Sequence, residues 1–187
     1  MPVLTTERLV IRGAAETDVP ALLRFFDENR AHMAPWEPPR PEDFHTDEFW
    51  RLQVGRHRRA FENGTAVMLF LFLRSDPLEV LGQVSYTGIT RGPSEMCMLG
   101  YALAERAQGY GYMYEALRAS LDYVFQVLNL HRVMANFMPH NARSNGLLRR
   151  LGFTVEGYAR DYLYIDGAWR DHVLTSLTNP DWKPRED

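Results

Sequence analysis

The sequence predicts a mixed α/β domain of the α+β kind, with a mostly antiparallel central sheet of six to seven strands flanked by four helices. Strand-like segments with β-branched or alternating residues are interleaved with segments whose apolar residues recur at helical spacing. Their order is β-α-α-β-β-β-α-β-α-β-β, and no internal repeat interrupts it. The 187 residues fit one domain, which we place at 1–187.

The first third of the chain predicts a strand, two helices and a proline-rich loop. RLVIRGA (8–14) alternates and is β-branched, as strands are, and an amphipathic helix follows from about residue 16. Residues 34–43 contain four prolines and cannot continue a helix. The 33 residues before them are too few to fold alone, so we interpret this segment as a loop inside one domain. A second helix is expected over 46–63, where Asn-Gly stops it.

The rest of the chain predicts six strands and two helices. Three of these strands come first, at 65–74, 80–89 and 95–104. They are followed by helix 111–128, strand 132–138 and helix 142–151. Gly152 stands where a left-handed residue commonly ends a helix. The last two strand-like runs, YARDYLYI and AWRDHVLTSL, flank Asp166-Gly167, a dipeptide typical of hairpin turns.

Composition restricts the class of protein. The net charge of −3 argues against a general DNA- or RNA-binding protein but is compatible with one that meets ribosomes. The longest apolar run, MLFLFL, is far shorter than the roughly 20 residues that cross a bilayer, and no secretory signal is visible. The one cysteine, Cys97, excludes an internal disulfide, and its apolar neighbours predict a buried thiol. We therefore expect a cytoplasmic protein that does not contact a membrane.

Charge is unevenly distributed along the chain. Residues 37–48 hold five acidic side chains against one arginine, and residues 51–59 hold four arginines. Both blocks are compatible with solvated helix faces. They are also compatible with an acidic rim that attracts a cationic substrate and a basic patch near phosphates.

Two glycines precede the helix in RAQGYGYMYEAL (106–117). The first turn of a helix has unpaired N–H groups and partial positive charge, so it attracts anions. Glycine at 109 and 111 would let a pyrophosphate approach those donors. The Walker phosphate loop and the dinucleotide fingerprint both fail here, because the first needs Gly-Lys-Ser/Thr and the second needs a glycine at the position of Tyr114.

Arg106-x-x-Gly109-x-Gly111 resembles the acyl-CoA pyrophosphate loop of the GNAT N-acetyltransferase superfamily. LGYALA (99–104) resembles that family's splayed strand, which pairs with the pantetheine amides, and the segment from Asn141 to Phe153 is similar to its second cofactor-contacting helix. The resemblance implies a GNAT fold, acetyl-CoA as co-substrate and no metal. The cofactor-binding residues that it implies are Leu99, Gly100, Tyr101, Leu103, Arg106, Gln108, Gly109, Tyr110, Gly111, Tyr112, Asn141 and Ser144.

Further segments extend the resemblance to essentially the whole chain. TERLVIR, PWEPPR, ANFMPHN, GYARDYL and IDGAWRDHVLTSLTNPDW resemble the RimJ type of ribosomal-protein alanine N-acetyltransferases. This implies acetylation of the N-terminal alanine of the fifth protein of the small ribosomal subunit. Pre-ribosomal particles are an additional potential partner, and the oligomeric state, monomer or dimer, is left open.

In this family the amine attacks the thioester directly, so the acceptor decides how much base is needed. An α-amine with a pKa of about 7.7–8.0 is roughly 10–20% neutral at pH 7, whereas a lysine is neutral only about 0.04% of the time. A weak or water-mediated base would suffice for an N-terminus. Backbone N–H groups around 99–101 are the expected oxyanion donors, because Gly100 in mid-strand marks either a close approach or a bulge.

The resemblance implies two catalytic side chains. Ser144 is the candidate for protonating or hydrogen-bonding the leaving sulfur, although it could be a plain surface hydroxyl, and Asn141 also suits a helix N-cap. Asp161 is the candidate base, with Glu37 and a water relay as alternatives. Strand alternation predicts that Tyr162 faces away from Asp161.

Trp36, Glu37 and Tyr162 are the candidates for the peptide groove, although aromatic packing in the core suits both rings equally well. No His/Cys/Asp cluster has metal-ligand spacing. Two other functions stay open at this point. The chain could acetylate another small amine or peptide terminus, or it could be an acyl-CoA-binding ribosome-assembly factor without turnover.

Overall fold

The computed structural model describes residues 1–184, so the last three residues of the predicted domain lie outside the described ones. Eight strands form one sheet in the order β1-β2-β3-β4-β5-β6-β8-β7, and all neighbours are antiparallel except β5 and β6. The strands are β1 Val3–Thr5, β2 Leu9–Arg12, β3 Val67–Leu73, β4 Val80–Thr90, β5 Met96–Leu103, β6 Arg132–Phe137, β7 Thr154–Ile165 and β8 Ala168–Thr178.

Helices cover both faces of this sheet. They are α1 Val19–Glu28, α2 Arg30–Met33, α3 Asp47–Glu62, α4 Tyr112–Asp122 and α5 Ala142–Arg150. On one face, Phe26 of α1 stacks on Trp50 of α3 at 4.6 Å, and Trp50 meets Phe70 of β3 edge-on. On the other face, the hydroxyl of Tyr86 in β4 lies 2.9 Å from that of Ser120 in α4. These aromatic and aliphatic side chains form a continuous buried core between the sheet and the helices.

The predicted class is confirmed, and the predicted counts need correction. Within residues 1–184 the sheet has eight strands instead of six to seven, and there are five α-helices instead of four. Both additions are too short to produce a periodic pattern, since β1 has three residues and α2 is a single turn of four. The predicted helix 111–128 is α-helical only as far as Asp122, after which residues 123–127 form a π-helical turn.

Local signals were reliable. Thr46 caps α3 by accepting the Phe49 N–H at 3.2 Å. Asp166 and Gly167 both adopt positive φ, +49° and +71°, as the predicted hairpin turn between β7 and β8 requires. Cys97 is buried as expected, and burial raises the pKa of its thiol to about 12.

The close packing of β4 on β5 leaves no room for a side chain at Gly82. A Cβ there would lie 2.5 Å from the carbonyl oxygen of Ala102 and 3.1 Å from Leu103 Cδ1. We expect Gly82→Ala to lower the free energy of unfolding by about 1–3 kcal/mol, because the backbone must shift to relieve the clash. Gly55→Ala in α3 is the matched control, since its Cβ would meet Arg59 only at 3.6 Å. It should raise stability by up to about 1 kcal/mol. Urea unfolding that gave both variants the same stability would contradict this.

Candidate active site

A slot opens where β5 and β6 diverge. Their parallel pairing starts with Met96 opposite Arg132 and ends with Met98 opposite Met134. Beyond that point β5 stays paired with β4 on its other side, and β6 stays paired with β8. In the described structure, the edge of residues 99–103 that faces β6 therefore has no strand partner. Its backbone N–H and C=O groups are available to an extended ligand inserted between the two strands.

Gly100 lies at this slot in a regular strand. The pairing of β4 with β5 is continuous from Gly82 to Thr87, and its irregularity falls beyond Thr87, away from Gly100. Ser85 donates a hydrogen bond to the Gly100 carbonyl at 3.3 Å. Of the two interpretations that the sequence left open, the bulge is thus excluded. The close approach at this position is that of Ser85, whose Oγ would lie 2.9 Å from a Cβ on residue 100.

The loop after β5 has the geometry of an anion cradle. Gly109 and Gly111 adopt φ of +84° and +82°, in the left-handed region that costs other residues about 1–2 kcal/mol. Gly111 is the N-cap of α4, so the unpaired N–H groups of the first turn of α4 point into the loop. A Cβ at Gly109 would meet none of the described residues within 4 Å. The space in front of these donors is therefore open to a ligand.

Glu115 near the start of α4 anchors this loop to the turn between β1 and β2. Its carboxylate accepts hydrogen bonds from the Thr6 hydroxyl at 2.5 Å, from the Arg8 backbone N–H at 3.0 Å and from Arg8 Nε at 2.7 Å. Arg8 also donates to the Tyr110 carbonyl at 2.9 Å, and its guanidinium lies over the Tyr112 ring. Burial alone would raise the pKa of Glu115, but the hydrogen bonds from Thr6 and Arg8 outweigh it and lower the pKa.

Residues at the C-terminal end of α1 hold the loop from the other side. Asn29 is buried, and its side-chain oxygen accepts the Glu105 N–H at 2.8 Å while its amide donates to the Phe25 carbonyl at 2.8 Å. The amide of Gln108 lies 2.7 Å from His32 Nε2. The loop conformation is thus fixed by side chains that are distant in sequence.

Arg106, a predicted cofactor-binding residue, is engaged with acidic side chains. Its guanidinium forms an ion pair with Glu79 and lies 3.7 Å from Glu28. Gln108 is likewise occupied by His32. In this conformation the loop offers its backbone N–H groups, whereas the direct contribution of both side chains to cofactor binding stays a prediction. The side chain of Tyr110 is exposed beside the loop, while Leu103 and Tyr112 pack partly against the core.

The N-terminal turn of α5 faces the slot from the β6 side. Asn141 caps the helix by accepting the Ser144 N–H at 3.0 Å, as predicted. Ser144 Oγ lies 2.6 Å from the hydroxyl of Tyr101, which belongs to the unpaired part of β5. Burial raises the pKa of Tyr101 to about 12 and outweighs the contact with Ser144, in which either oxygen can be the donor. Two hydroxyl groups therefore meet at the slot.

Gly146 has no packing role in α5. A Cβ at this position would meet none of the described residues within 4 Å, so the close approach of a neighbouring helix is excluded. Glycine inside a helix costs up to about 1 kcal/mol relative to alanine. Gly146 follows Ser144 by two residues, about 200° around the helix, so the open space beside it lies on the exposed side of α5.

Asp161 lies at an irregularity of β7, so strand alternation does not determine how Tyr162 is oriented relative to Asp161. The register with β8 shifts between Ala159 and Leu163, and Asp161 has a φ of +48°. Its backbone N–H donates to the Asp171 carboxylate at 2.9 Å, and this bond fixes the bulge. Alternation holds only in a regular strand, so it cannot place Tyr162 opposite Asp161. The Asp161 carboxylate is exposed and has no hydrogen-bond partner among residues 1–184.

Tyr162 reaches across the sheet toward the end of β6. Its ring lies 5.4 Å from that of buried His172, and its hydroxyl accepts a hydrogen bond from the Asn136 amide at 3.2 Å. Asn136 lies on β6 beyond the last residue paired with β5, so it borders the slot. The sequence pattern did not predict a role for Asn136, because its one signal was a polar residue among the apolar residues of 133–137.

The proline loop lies near the same end of β6. The ring of Trp36 is 5.4 Å from that of His140, which directly precedes the cap of α5. Glu37 is ion-paired with Arg40, whose Nε donates to it at 2.9 Å. A cavity of about 430 Å³ separates this loop from the tip of the β7–β8 hairpin. Its lining consists of Arg30, Ala34, residues 37–42, His45, Asp166 and Gly167.

Residues 1–184 contain neither a metal-ion cluster nor a membrane-spanning helix. No group of three or more His, Cys, Asp or Glu side chains is arranged to hold a metal ion. Within the same range, no helix has the length and apolar character needed to cross a bilayer.

Comparisons with known proteins agree with this geometry. The acetyltransferase (GNAT) domain family matches residues 8–154. The [ribosomal protein uS5]-alanine N-acetyltransferase of Escherichia coli is 45% identical over 97% of this chain and 93% of that protein. The crystal structure of a ribosomal-protein-S5-alanine acetyltransferase from Vibrio fischeri is 38% identical, with a TM-score of 0.94 over 98% of this chain and 100% of that one. Mycobacterium smegmatis RimJ in complex with CoA-disulfide is 31% identical, with a TM-score of 0.85 over 91% and 81%.

The anchoring of the loop by Glu115 can be tested by substitution. Glu115→Gln should lower the free energy of unfolding by about 1–3 kcal/mol, because it removes the charge from a cluster of hydrogen bonds. In the wild-type protein this contribution is complete above the unfolded-state pKa. Because the folded-state pKa is lowered, the contribution should be lost as the pH falls through that lower value.

Glu62→Gln is the matched control, because the pair of Glu62 with Arg58 is exposed and 3.9 Å long. It should change stability by less than about 0.5 kcal/mol. Thermal unfolding between pH 3 and pH 7 would check both variants. A Glu115→Gln protein with wild-type stability at neutral pH would show that these hydrogen bonds do not anchor the loop.

Proposed function

The chain belongs to the GNAT acetyltransferase family, and we propose that it transfers the acetyl group of acetyl-CoA to the N-terminal α-amine of an alanine on a small-subunit ribosomal protein. The observation that carries this proposal is the whole-chain similarity to the uS5-alanine N-acetyltransferase, which includes the proline loop and the C-terminal hairpin. The acceptor is made in the cytoplasm, where we place the reaction. It could be presented free or within a pre-ribosomal particle.

The slot between β5 and β6 suits the cofactor's pantetheine arm. Residues 99–103 offer unpaired backbone groups along one side, as an edge strand does to an added strand. At the end of the slot, the N–H groups of the first turn of α4 and the left-handed glycines suit a pyrophosphate. The relative from Mycobacterium smegmatis was solved with a CoA disulfide, which supports cofactor binding by this fold.

The residues at the slot supply two of the three requirements of direct acyl transfer. Backbone N–H groups of residues 99–101 on the slot side donate to the thioester oxygen as negative charge develops there. The Ser144 hydroxyl, on the opposite wall, donates a hydrogen bond to the sulfur as the carbon–sulfur bond breaks. Asn141 holds the backbone of Ser144 in place through the helix cap.

The third requirement, removal of a proton from the amine, falls to Asp161 or to water. Glu37 is the poorer base because its carboxylate is already paired with Arg40. The Asp161 carboxylate is exposed and accepts no hydrogen bond in the described structure, so it is available. An α-amine demands little of either group.

The acceptor approaches from the side of the proline loop and the hairpin. Trp36 and Tyr162 both reach the segment 136–140 at the end of β6, which borders the slot. Glu37 lines the cavity between the two segments together with the hairpin tip. We assign this region to the first residues of the acceptor peptide, with the two aromatic rings as its walls.

We expect the protein to add one acetyl group to a peptide that begins with a free alanine, and none to the same peptide with a blocked terminus and an internal lysine. The reason is the difference in neutral amine at pH 7 between the two acceptors. Intact-mass spectrometry after incubation with acetyl-CoA measures this directly, with a polyamine as a third acceptor.

Other outcomes separate the competing functions. Modification of only the lysine or the polyamine would refute the N-terminal specificity and keep the acetyltransferase activity. Binding of acetyl-CoA without transfer to any acceptor would favour a non-catalytic ribosome-assembly factor.

A further inference from the structure

Tyr101 and Ser144 form an isolated pair of hydroxyl groups across the slot. Tyr101 lies on β5, three residues beyond the last one paired with β6, and Ser144 lies in the first turn of α5. Their oxygen atoms are 2.6 Å apart, and this is the one hydrogen bond of either side chain among residues 1–184. A contact this short between two rotatable groups leaves each with a restricted set of proton positions.

We propose, resting on the proposed function, that Tyr101 is a positioning residue for acetyl transfer: its phenol donates to Ser144 Oγ and so directs the Ser144 hydroxyl proton toward the leaving sulfur. A hydroxyl group has one proton to donate and two lone pairs that accept. If Ser144 donated to Tyr101, its one proton would point at the phenol, and Ser144 could not donate a hydrogen bond to the sulfur. The usefulness of Ser144 therefore depends on which of the two oxygens donates.

The chemistry of the two groups favours Tyr101 as the donor. A phenol is more acidic than an aliphatic hydroxyl, so it is the better hydrogen-bond donor of the pair. Burial keeps the phenol neutral, and hence able to donate, throughout the physiological pH range. The backbone of Ser144 is held by the Asn141 cap, so the side-chain oxygen cannot move away from the phenol without a change of rotamer.

During the reaction the pair stabilises charge and exchanges no covalent bond. As the carbon–sulfur bond breaks, its electron pair stays on the sulfur, and the Ser144 hydroxyl donates a hydrogen bond to the developing thiolate. Tyr101 strengthens that bond by donating to Ser144 Oγ, because consecutive hydrogen bonds polarise one another. The proton lost by the acceptor amine passes to solvent, and solvent protonates the released thiolate.

The chain contains a matched control for this pair. Tyr86 on β4 and Ser120 on α4 form another tyrosine–serine hydrogen bond, which is 2.9 Å long. Tyr86 lies on the same face of the sheet as Tyr101. Both residues are completely buried, away from the slot. Tyr86→Phe and Tyr101→Phe thus remove the same atom from the same kind of contact, and only the second borders the proposed site.

A double-mutant cycle tests whether Tyr101 acts through Ser144. We expect Tyr101→Phe to lower kcat about tenfold with little change in either KM, and Ser144→Ala to lower it about a hundredfold. In the Ser144→Ala background, Tyr101→Phe should change kcat by less than about twofold. Tyr86→Phe should lower the melting temperature and leave kcat unchanged. Additive losses in the double variant, an unchanged kcat in Tyr101→Phe, or a loss confined to KM would each overturn the proposal.

A second measurement is independent of the acceptor, so it separates failure of this proposal from failure of the proposed function. The pKa of the CoA thiol bound to the protein can be followed by the ultraviolet absorbance of the thiolate. Tyr101→Phe should raise that pKa part of the way to the value in Ser144→Ala, and the double variant should match Ser144→Ala, whereas Tyr86→Phe should match wild type. Equal thiol pKa values in wild type and Tyr101→Phe would refute the positioning role, whether or not an alanine peptide is acetylated.

Discussion

The divergence of β5 and β6 determines how the rest of the site is arranged. Because the two strands are parallel, the segments that follow them emerge at the same edge of the sheet. One segment is the glycine loop that enters α4, and the other is the cap of α5. Two helix N-termini are thereby directed to one slot, although Gly111 and Asn141 are 30 residues apart in sequence. Continued pairing of β5 with β6 would close the slot and leave the same two motifs without a common ligand.

A slot of this kind needs a loop that keeps its shape before the ligand arrives. Left-handed glycines permit the conformation but do not select it, since glycine is the most flexible residue. The conformation is selected by Glu115, which binds the turn between β1 and β2, and by Asn29, which binds the loop to the end of α1. The chain from Asn29 continues directly into the proline loop and Trp36. The cofactor side and the acceptor side of the site are therefore built on one continuous support, which favours a preorganised geometry.

Features that depend on neighbours in sequence could be predicted, and features that depend on tertiary contacts could not. The cap at Asn141 and the hairpin turn follow from residue types within a few positions, and both predictions were correct. The bulge at Asp161 depends on a hydrogen bond to Asp171 on the adjacent strand, so strand alternation could not predict how Tyr162 is oriented relative to Asp161. The hydrogen bond from Asn136 to Tyr162 spans three strands and has no local signature.

The organisation of the proposed site is unequal on its two sides, and the proposed acceptor would explain why. On the cofactor side, the slot backbone, the glycine loop and the Tyr101–Ser144 pair are fixed by short, directed contacts. On the amine side, Glu37 is paired with Arg40 and the carboxylate of Asp161 is exposed to water. A lysine acceptor would need a strong, desolvated base to supply the neutral amine, whereas a substantial fraction of an α-amine is already neutral near pH 7. The fixed contacts of such a site serve the carbonyl oxygen and the sulfur, and they contribute little to deprotonation of the amine. The site is therefore suited to chain termini and poorly suited to lysine side chains.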